Sequence, residues 1–256
     1  MKNPLDHAKF LDRLKSGELT VGTFLGLASP LAAEVASVSG FDWVLLDLEH
    51  GGGGEEQLSP TVVASNAYGV PTFVRVESNE RIRIGRALDA GASGVMVPRL
   101  QSKAEAEAVV NHFTFPPTGD RGVASYNRAA AWGINPKALE AVKTTATIIQ
   151  IETLGSLDQV EEIAAIEGVD VLFVGPLDLS YSLGIPRDFK NPIFIAALEK
   201  VVTAAKRHGK AAGILSSDSE VAKQHIALGF TFIALSSDSV LLSRSIVENL
   251  EKVKGK

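Results

Sequence analysis

Short runs of consecutive apolar residues recur along the chain at intervals of roughly 20–50 residues, with amphipathic stretches between them. The runs are Val21–Leu27, Trp43–Leu48, Thr72–Val76, Gly94–Pro98, a weak one at Gly122–Ser125, Thr147–Glu152, Val171–Val174, Ala211–Leu215 and Phe232–Leu235. Most are continuous rather than alternating, as expected of parallel strands buried on both faces. The intervening stretches have helical period. Ser156–Glu167 puts Leu157, Val160, Ile163, Ala164 and Ile166 on one broad apolar face with acids opposite, and Asp218–Leu228 and Val240–Val253 read the same way.

Glycines punctuate the joins between helical stretches and the next apolar run: Gly40, Gly69, Gly91, Gly94, Gly168, Gly209 and Gly229. A glycine just past a helix supplies a left-handed cap, so each join reads as a loop from helix to strand. Repeated β-α units with short loops predict a parallel sheet joined by right-handed crossovers. Eight such units in about 250 residues match a closed (β/α)8 TIM barrel. The competing open, doubly wound sheet is weakened because no Gly-x-Gly-x-x-Gly follows the first run. No Pro/Ser-rich linker or charge block divides the chain, so residues 1–256 are read as one α/β barrel domain.

Composition narrows the function classes. The 256 residues are 45% hydrophobic and 21% charged, an ordinary globular mixture that can bury a full core. The formal net charge is −5 and no Lys/Arg stripe is present, which argues against a nucleic-acid partner. There are no cysteines, so disulfides, thiolate nucleophiles and Cys-held metals are excluded. No stretch approaches 18 apolar residues, and Met1 to Lys15 mixes charges without an apolar core. A soluble, cytoplasmic protein with no membrane partner is expected, and any metal must be held by His, Asp, Glu, carbonyls or water.

Functional groups of a barrel belong at the C-terminal ends of its strands. The second strand delivers Asp47, Glu49 and His50, the third Arg75, and the fourth ends at Pro98. Thr147–Ile151 delivers Gln150 and Glu152, the next strand Gly175-Pro176-Leu177-Asp178, and the last two end at Ser216-Ser217 and Ser236-Ser237-Asp238. Charges at the ends of apolar strands need partners. Mutual ion pairing explains any one of these carboxylates, but not so many ionisable groups on one rim. Glu152 and Asp178 follow consecutive strands, and two carboxylates completed by water and substrate oxygens suit Mg²⁺ or Mn²⁺. The structural alternative is hydrogen bonding to loop amides, with Asp178 capping the helix before Leu179.

Of five histidines, only His50 sits at a strand's C-terminal end, where an imidazole serves as a proton shuttle. Asp47 or Glu49 could orient it. His7, His112, His208 and His225 read as surface or capping residues. Gly51–Gly54 lacks the Gly-Lys-Ser/Thr of a phosphate loop and reads as a mobile loop beside His50. The Arg121–Arg128 segment either binds an anionic substrate tail or carries solvated charge. No lysine is placed for an imine: Lys103, Lys137, Lys143, Lys200, Lys206 and Lys223 fall in helical patterns, and Lys210 precedes its strand.

At Asp47-Leu-Glu-His50-Gly51, Arg75, Asp89-Ala-Gly-Ala-Ser-Gly-Val-Met-Val-Pro98, Gln150-Ile-Glu152 and Gly175-Pro-Leu-Asp178-Leu-Ser180 the sequence resembles a known family. It is similar to the class II, metal-dependent pyruvate aldolases of the 4-hydroxy-2-oxoheptanedioate and 2-keto-3-deoxy sugar-acid type, relatives of the citrate lyase β-subunit and phosphoenolpyruvate mutase barrels. The resemblance runs from about Gly22 to Leu242. It implies a barrel of the phosphoenolpyruvate/pyruvate type with a swapped C-terminal helix. It also implies a lyase of aromatic or sugar-acid catabolism that cleaves 4-hydroxy-2-oxo acids to pyruvate and an aldehyde. Glu152 and Asp178 would hold a divalent cation (Mg²⁺, Mn²⁺ or Co²⁺). Gln150, the Gly175-Pro176-Leu177 backbone, Asp178 and Arg75 would bind pyruvate. Arg75 would stabilise the enolate, and His50 would be the acid/base, its basicity raised by Asp47 and Asp89. Homo-oligomers, trimers or hexamers, are implied as well.

Two departures concern the aldehyde side: Gly51–Gly54 stands where many relatives carry Pro and Asn, and Phe24 and Leu177 occupy positions expected to shape the aldehyde pocket. Two other readings remain at this point. A CoA-ester lyase of the citramalyl/malyl type would need a basic surface, for which Arg121 and Arg128 are the candidates. A barrel without chemistry is opposed by the presence of Glu152, Asp178, Arg75 and His50.

Overall fold

Eight parallel strands close on themselves in chain order, β1 pairing with both β2 and β8. The strands are β1 (Thr20–Leu25), β2 (Trp43–Asp47), β3 (Thr72–Arg75), β4 (Gly94–Val97), β5 (Ala146–Ile151), β6 (Val171–Val174), β7 (Ala211–Ser216) and β8 (Phe232–Ser237). The structure is a computed structural model that describes residues 7–134 and 144–255, so Lys137 and Lys143 lie outside the described residues. Helices alternate with the strands: α1 (His7–Lys15), α2 (Pro30–Val38), α3 (Leu58–Asn66), α4 (Arg81–Asp89), α5 (Lys103–Asn111), α6 (Leu154–Asp158), α7 (Val160–Ala164), α8 (Pro176–Ser182), α9 (Pro192–Arg207), α10 (Ser219–Leu228) and α11 (Asp238–Lys254). None of these is long and apolar enough to cross a membrane.

The continuous apolar runs are continuous because each strand has two buried faces. Leu46, Val74, Val95, Ile149, Leu172, Val174, Ile214 and Ile233 face the surrounding helices, while Trp43, Leu45, Phe73, Met96, Ile148, Phe173 and Phe232 fill the barrel interior. Aromatic rings make that interior solid: Trp43 stacks on Phe232 at 4.1 Å between centroids, and Phe73 meets both edge-on. Phe10, Leu11 and Leu14 of α1 join the same cluster and close the N-terminal end of the barrel.

The glycines expected to end helices do so with positive φ, 106° at Gly40 and 110° at Gly229, where α10 ends, except Gly94, which is the first residue of β4. Two elements differ from the pattern reading. Gly122–Ser125 is loop rather than strand, because eight strands already close the barrel and no edge is left to pair with. The predicted helix Ser156–Glu167 is broken into α6 and α7 at Gln159 (φ −97°, ψ 20°), whose side-chain oxygen turns aside to accept the Lys103 N–H at the start of α5.

Candidate active site

Asp47, the last residue of β2, is 5% exposed and anchors the rim. Its carboxylate takes two parallel bonds from the Arg75 guanidinium at the end of β3, Nε to Oδ1 at 2.8 Å and Nη2 to Oδ2 at 2.7 Å. The parallel register that sets Asp47 opposite Arg75 makes this fork possible. Oδ1 also accepts the backbone N–H groups of Glu49 (3.1 Å) and His50 (3.3 Å), so one side chain fixes both the guanidinium and the turn that carries the histidine. Glu49 adds a second carboxylate to Arg75 at 3.1 Å, and the guanidinium lies 5.0 Å from the centre of the Phe24 ring. Burial raises the Glu49 carboxyl above its ordinary range, while Arg75 and His50 pull it back.

The His50 ring stands in solvent, with a side-chain exposure of 67% and Nε2 3.9 Å from Glu49 Oε1. Glu49 therefore faces the imidazole, whereas Asp47 reaches only the His50 backbone. Gly51 is required beside it by close approach, because a Cβ there would fall 2.1 Å from the Asp47 carbonyl oxygen. Gly52 N–H bonds the Gly26 carbonyl at 2.8 Å, and a Cβ on Gly53 would meet Ala28 at 2.4 Å. The glycine run expected to be a mobile loop is thus packed against the segment that follows β1.

Across the mouth, Glu152 is 2% exposed just beyond β5. Its Oε1 accepts the Arg99 backbone N–H at 2.8 Å and its Oε2 the Gln150 amide at 2.8 Å. Burial is the main cause that pushes the Glu152 carboxyl up to about 7; the Arg99 N–H opposes it, and the nearby Asp178 and Glu49 charges add to it. Gln150 is buried, and its Oε1 has no hydrogen-bond partner among the described residues. Gly175, Pro176 and Leu177 carry the chain from β6 into the first turn of α8, where Asp178 sits. Gly175 is the cap, so Asp178 is not spent on capping. A Cβ at Gly175 would lie 2.2 Å from Glu152 Oε2, which is why the backbone can approach this carboxylate so closely.

Arg99 was not singled out from the sequence. Its φ is 59°, a left-handed value unusual for a residue with a side chain. This turn aims its N–H at Glu152 and brings its guanidinium to Asp178 Oδ1 at 3.3 Å. The only signal available beforehand was its position just past Pro98 at a strand's C-terminal end.

Other predicted residues fall elsewhere. Asp89 ends α4 on the opposite rim, where it accepts from Arg121 Nη2 at 2.7 Å; the chain does not bring it to its own His50. Arg121 is 8% exposed and stacks over Phe115, so the Arg121–Arg128 loop is held on the far rim rather than offered to this mouth. Phe24 is buried beneath Arg75, and Leu177 points into an apolar groove beside α9 and α10. Asp238 is used on the Gly26 and Leu27 backbone N–H groups. His112 and His208 cap α5 and α9 as expected. His225 is not a surface residue: it is 9% exposed and shares a 2.8 Å hydrogen bond between Nδ1 and the buried Ser216 hydroxyl.

Among the described residues, Asp47 and Glu49 pair with the Arg75 guanidinium and Asp178 with that of Arg99, while Glu152 accepts only the Arg99 backbone N–H and the Gln150 amide. The excess negative charge suits a divalent cation. No group of three or more His, Asp or Glu side chains that could hold a metal occurs among the described residues. Glu152 and Asp178 make a two-carboxylate set, which fits a hard ion that keeps water and substrate oxygens in its remaining positions.

Comparison with known proteins finds the same barrel. The family model described as HpcH/HpaI aldolase/citrate lyase matches residues 20–245. A hydroxypyruvate/pyruvate aldolase of Pseudomonas aeruginosa is 39% identical over 96% of this chain and 93% of its own. A 4-hydroxy-2-oxo-heptane-1,7-dioate aldolase of Salmonella arizonae is 35% identical over 92% and 90%. Among solved structures, an HpcH/HpaI aldolase/citrate lyase family protein from Burkholderia cenocepacia superposes with a TM-score of 0.92 at 36% identity, covering 96% of this chain and 99% of that one.

Proposed function

This chain belongs to the HpcH/HpaI aldolase/citrate lyase family, and on that premise we propose that it is a divalent-cation-dependent aldolase cleaving 4-hydroxy-2-oxo acids reversibly to pyruvate and an aldehyde. The observation that carries the reading is the buried Glu152, held beside Asp178 and Glu49 with more carboxylate charge than Arg75 and Arg99 balance.

Glu152 and Asp178 would hold the cation, which when bound supplies Lewis acidity at the 2-keto oxygen. The remaining work falls to this chain's own groups. The Gln150 side chain, through the Nε2–H not spent on Glu152, and the backbone at Leu177 bind and orient the pyruvate half. Arg75, fixed by Asp47, presents fixed positive charge where negative charge develops as the carbon–carbon bond breaks; such preorganised charge is the largest expected contribution to the rate. His50 takes the 4-hydroxyl proton at Nδ1 while Nε2 stays on the side of Glu49, whose carboxylate stabilises the imidazolium. In the addition direction the same nitrogen returns the proton to the aldehyde oxygen.

Self-association belongs to the same reading. No residue of α11 is buried, and Leu242, Ile246 and Leu250 lie along it exposed. An apolar groove of about 920 Å³, lined by Phe194, Leu198, Leu215, Val221 and Leu228 among others, lies open beside α9 and α10. An apolar helix and an apolar groove on one chain fit a dimer in which α11 is exchanged.

The test is aldol addition of pyruvate to glycolaldehyde, with Mn²⁺ or with EDTA. We expect product that requires Mn²⁺ and is lost in Glu152→Ala. Full activity in that variant or in EDTA would sink the assignment.

A further inference from the structure

We propose that Arg99 is a resident counter-cation of the Glu152–Asp178 pair, one that an incoming divalent ion must displace from Asp178. The inference rests on the cation reading above and adds to it a residue that the reading does not use.

Two arginines serve this mouth, and they are held differently. Arg75 is locked: its side chain is 11% exposed and is gripped by Asp47 through two bonds and by Glu49 through a third. Arg99 is loose at its tip. The guanidinium is 62% exposed and touches Asp178 Oδ1 through one contact of 3.3 Å, and Asp178 itself is 43% exposed. A single ion pair of this kind, open to water, is weak and exchangeable. Its backbone, by contrast, is fixed: the N–H on Glu152 Oε1 at 2.8 Å holds Arg99 at φ 59°. The anchored backbone keeps the guanidinium within reach of Asp178, and the exposed side chain lets it leave.

This arrangement has a consequence for cation binding. An ion ligated through Asp178 Oδ1 takes the oxygen that the guanidinium occupies. Binding must break that pair and then tolerate a positive charge tethered a few ångströms away, which opposes a doubly charged ion in proportion to its charge. Arg99 therefore lowers the affinity of the free site while keeping its carboxylates from standing unpaired.

The test is Mn²⁺ affinity, measured by calorimetry on the full chain without substrate, for the wild type, Arg99→Met and Arg99→Lys. Met removes the charge and keeps an unbranched side chain and the N–H on Glu152. We expect Arg99→Met to bind Mn²⁺ roughly tenfold more tightly, equivalent to about 1.4 kcal/mol, and Arg99→Lys to stay within about twofold of wild type. Arg99→Gly, which suits the left-handed backbone, should tighten binding in the same direction should the Met variant not fold. A purely structural role would lower the melting temperature and leave affinity unchanged or weaker, and that result overturns the proposal. Mn²⁺ uptake by the wild type with an unaltered Arg99→Met overturns only the role of Arg99, whereas a wild type that takes up no Mn²⁺ overturns the cation reading and this inference with it.

Discussion

Asp47→Asn isolates the contact on which most of the site depends. Asparagine keeps the shape and one acceptor oxygen, so the N–H groups of Glu49 and His50 can still be met. It replaces the second oxygen by an NH₂ that faces the Arg75 Nη2 donor, so one of the two bonds is lost and the ion pair with it. Asp47 is 5% exposed and the Arg75 side chain 11%, so water cannot step in cheaply. Breaking a buried pair costs ~3–5 kcal/mol, and Glu49, still 3.1 Å from Arg75, places this case at the low end, about 3 kcal/mol. For a domain of this size that lowers the melting temperature by roughly 6–12 °C. Asp178→Asn is the comparison: it removes a single solvent-open pair worth under ~1 kcal/mol. Differential scanning calorimetry of both variants, without added cation, measures the contrast. Turnover should fall about 100-fold in Asp47→Asn, because a guanidinium displaced by an ångström no longer meets the developing charge. A melting temperature lowered no more than that of Asp178→Asn would refute the reasoning.

Three further outcomes are expected. Because burial sets the Glu152 carboxyl near about 7, cation uptake should release close to one proton per ion at pH 6 and almost none at pH 8; calorimetry in buffers of different ionisation enthalpy measures this, and Glu152→Gln should abolish the difference. Burial lowers His225 from 6.5 to about 4, so between those pH values the unfolded chain takes up a proton that the folded chain refuses, and stability falls as pH drops through this window. This group's share of the loss is about 3 kcal/mol; because Glu152, raised to about 7, adds stability over the same fall in pH, that share is read as the difference between wild type and His225→Gln in denaturant titrations at pH 7 and pH 4. Finally, if the proposed α11-exchanged dimer forms, Ile246→Asp on the exposed face of α11 should convert it to monomers in analytical ultracentrifugation, and an unchanged sedimentation coefficient would remove the exchanged helix from the picture.

The barrel was legible because its signals are local. Parallel strands buried on both faces read as unbroken apolar runs, and left-handed helix ends select glycine, so strand order and rim followed from spacing. Asp47, His50, Arg75, Gln150, Glu152 and Asp178 were candidates because polar residues ending apolar strands stand out, and the fold places them on one rim. What escaped depends on backbone direction and on contacts distant in sequence. Arg99 belongs to the site only because its φ of 59° turns its N–H toward Glu152, 53 residues away. Asp89 lies at the end of a helix, and its rim is set by which way that helix runs. Gly51–Gly54 reads as flexible in isolation, yet at Gly51 and Gly53 the adjoining segments leave no room for a Cβ. Gln159 carries no helix-breaking signature; its side chain is drawn away to serve the next helix over.

The aromatic floor has a kinetic consequence. With Trp43, Phe73 and Phe232 filling the barrel and Phe10, Leu11 and Leu14 sealing its base, the mouth is both entrance and exit. On the proposed reading the pyruvate half lies deeper than the aldehyde. In cleavage the aldehyde must then depart before pyruvate can, and in synthesis pyruvate must arrive first. A barrel packed solid for stability thus imposes an ordered sequence, in which pyruvate inhibits competitively against the substrate while the aldehyde does not.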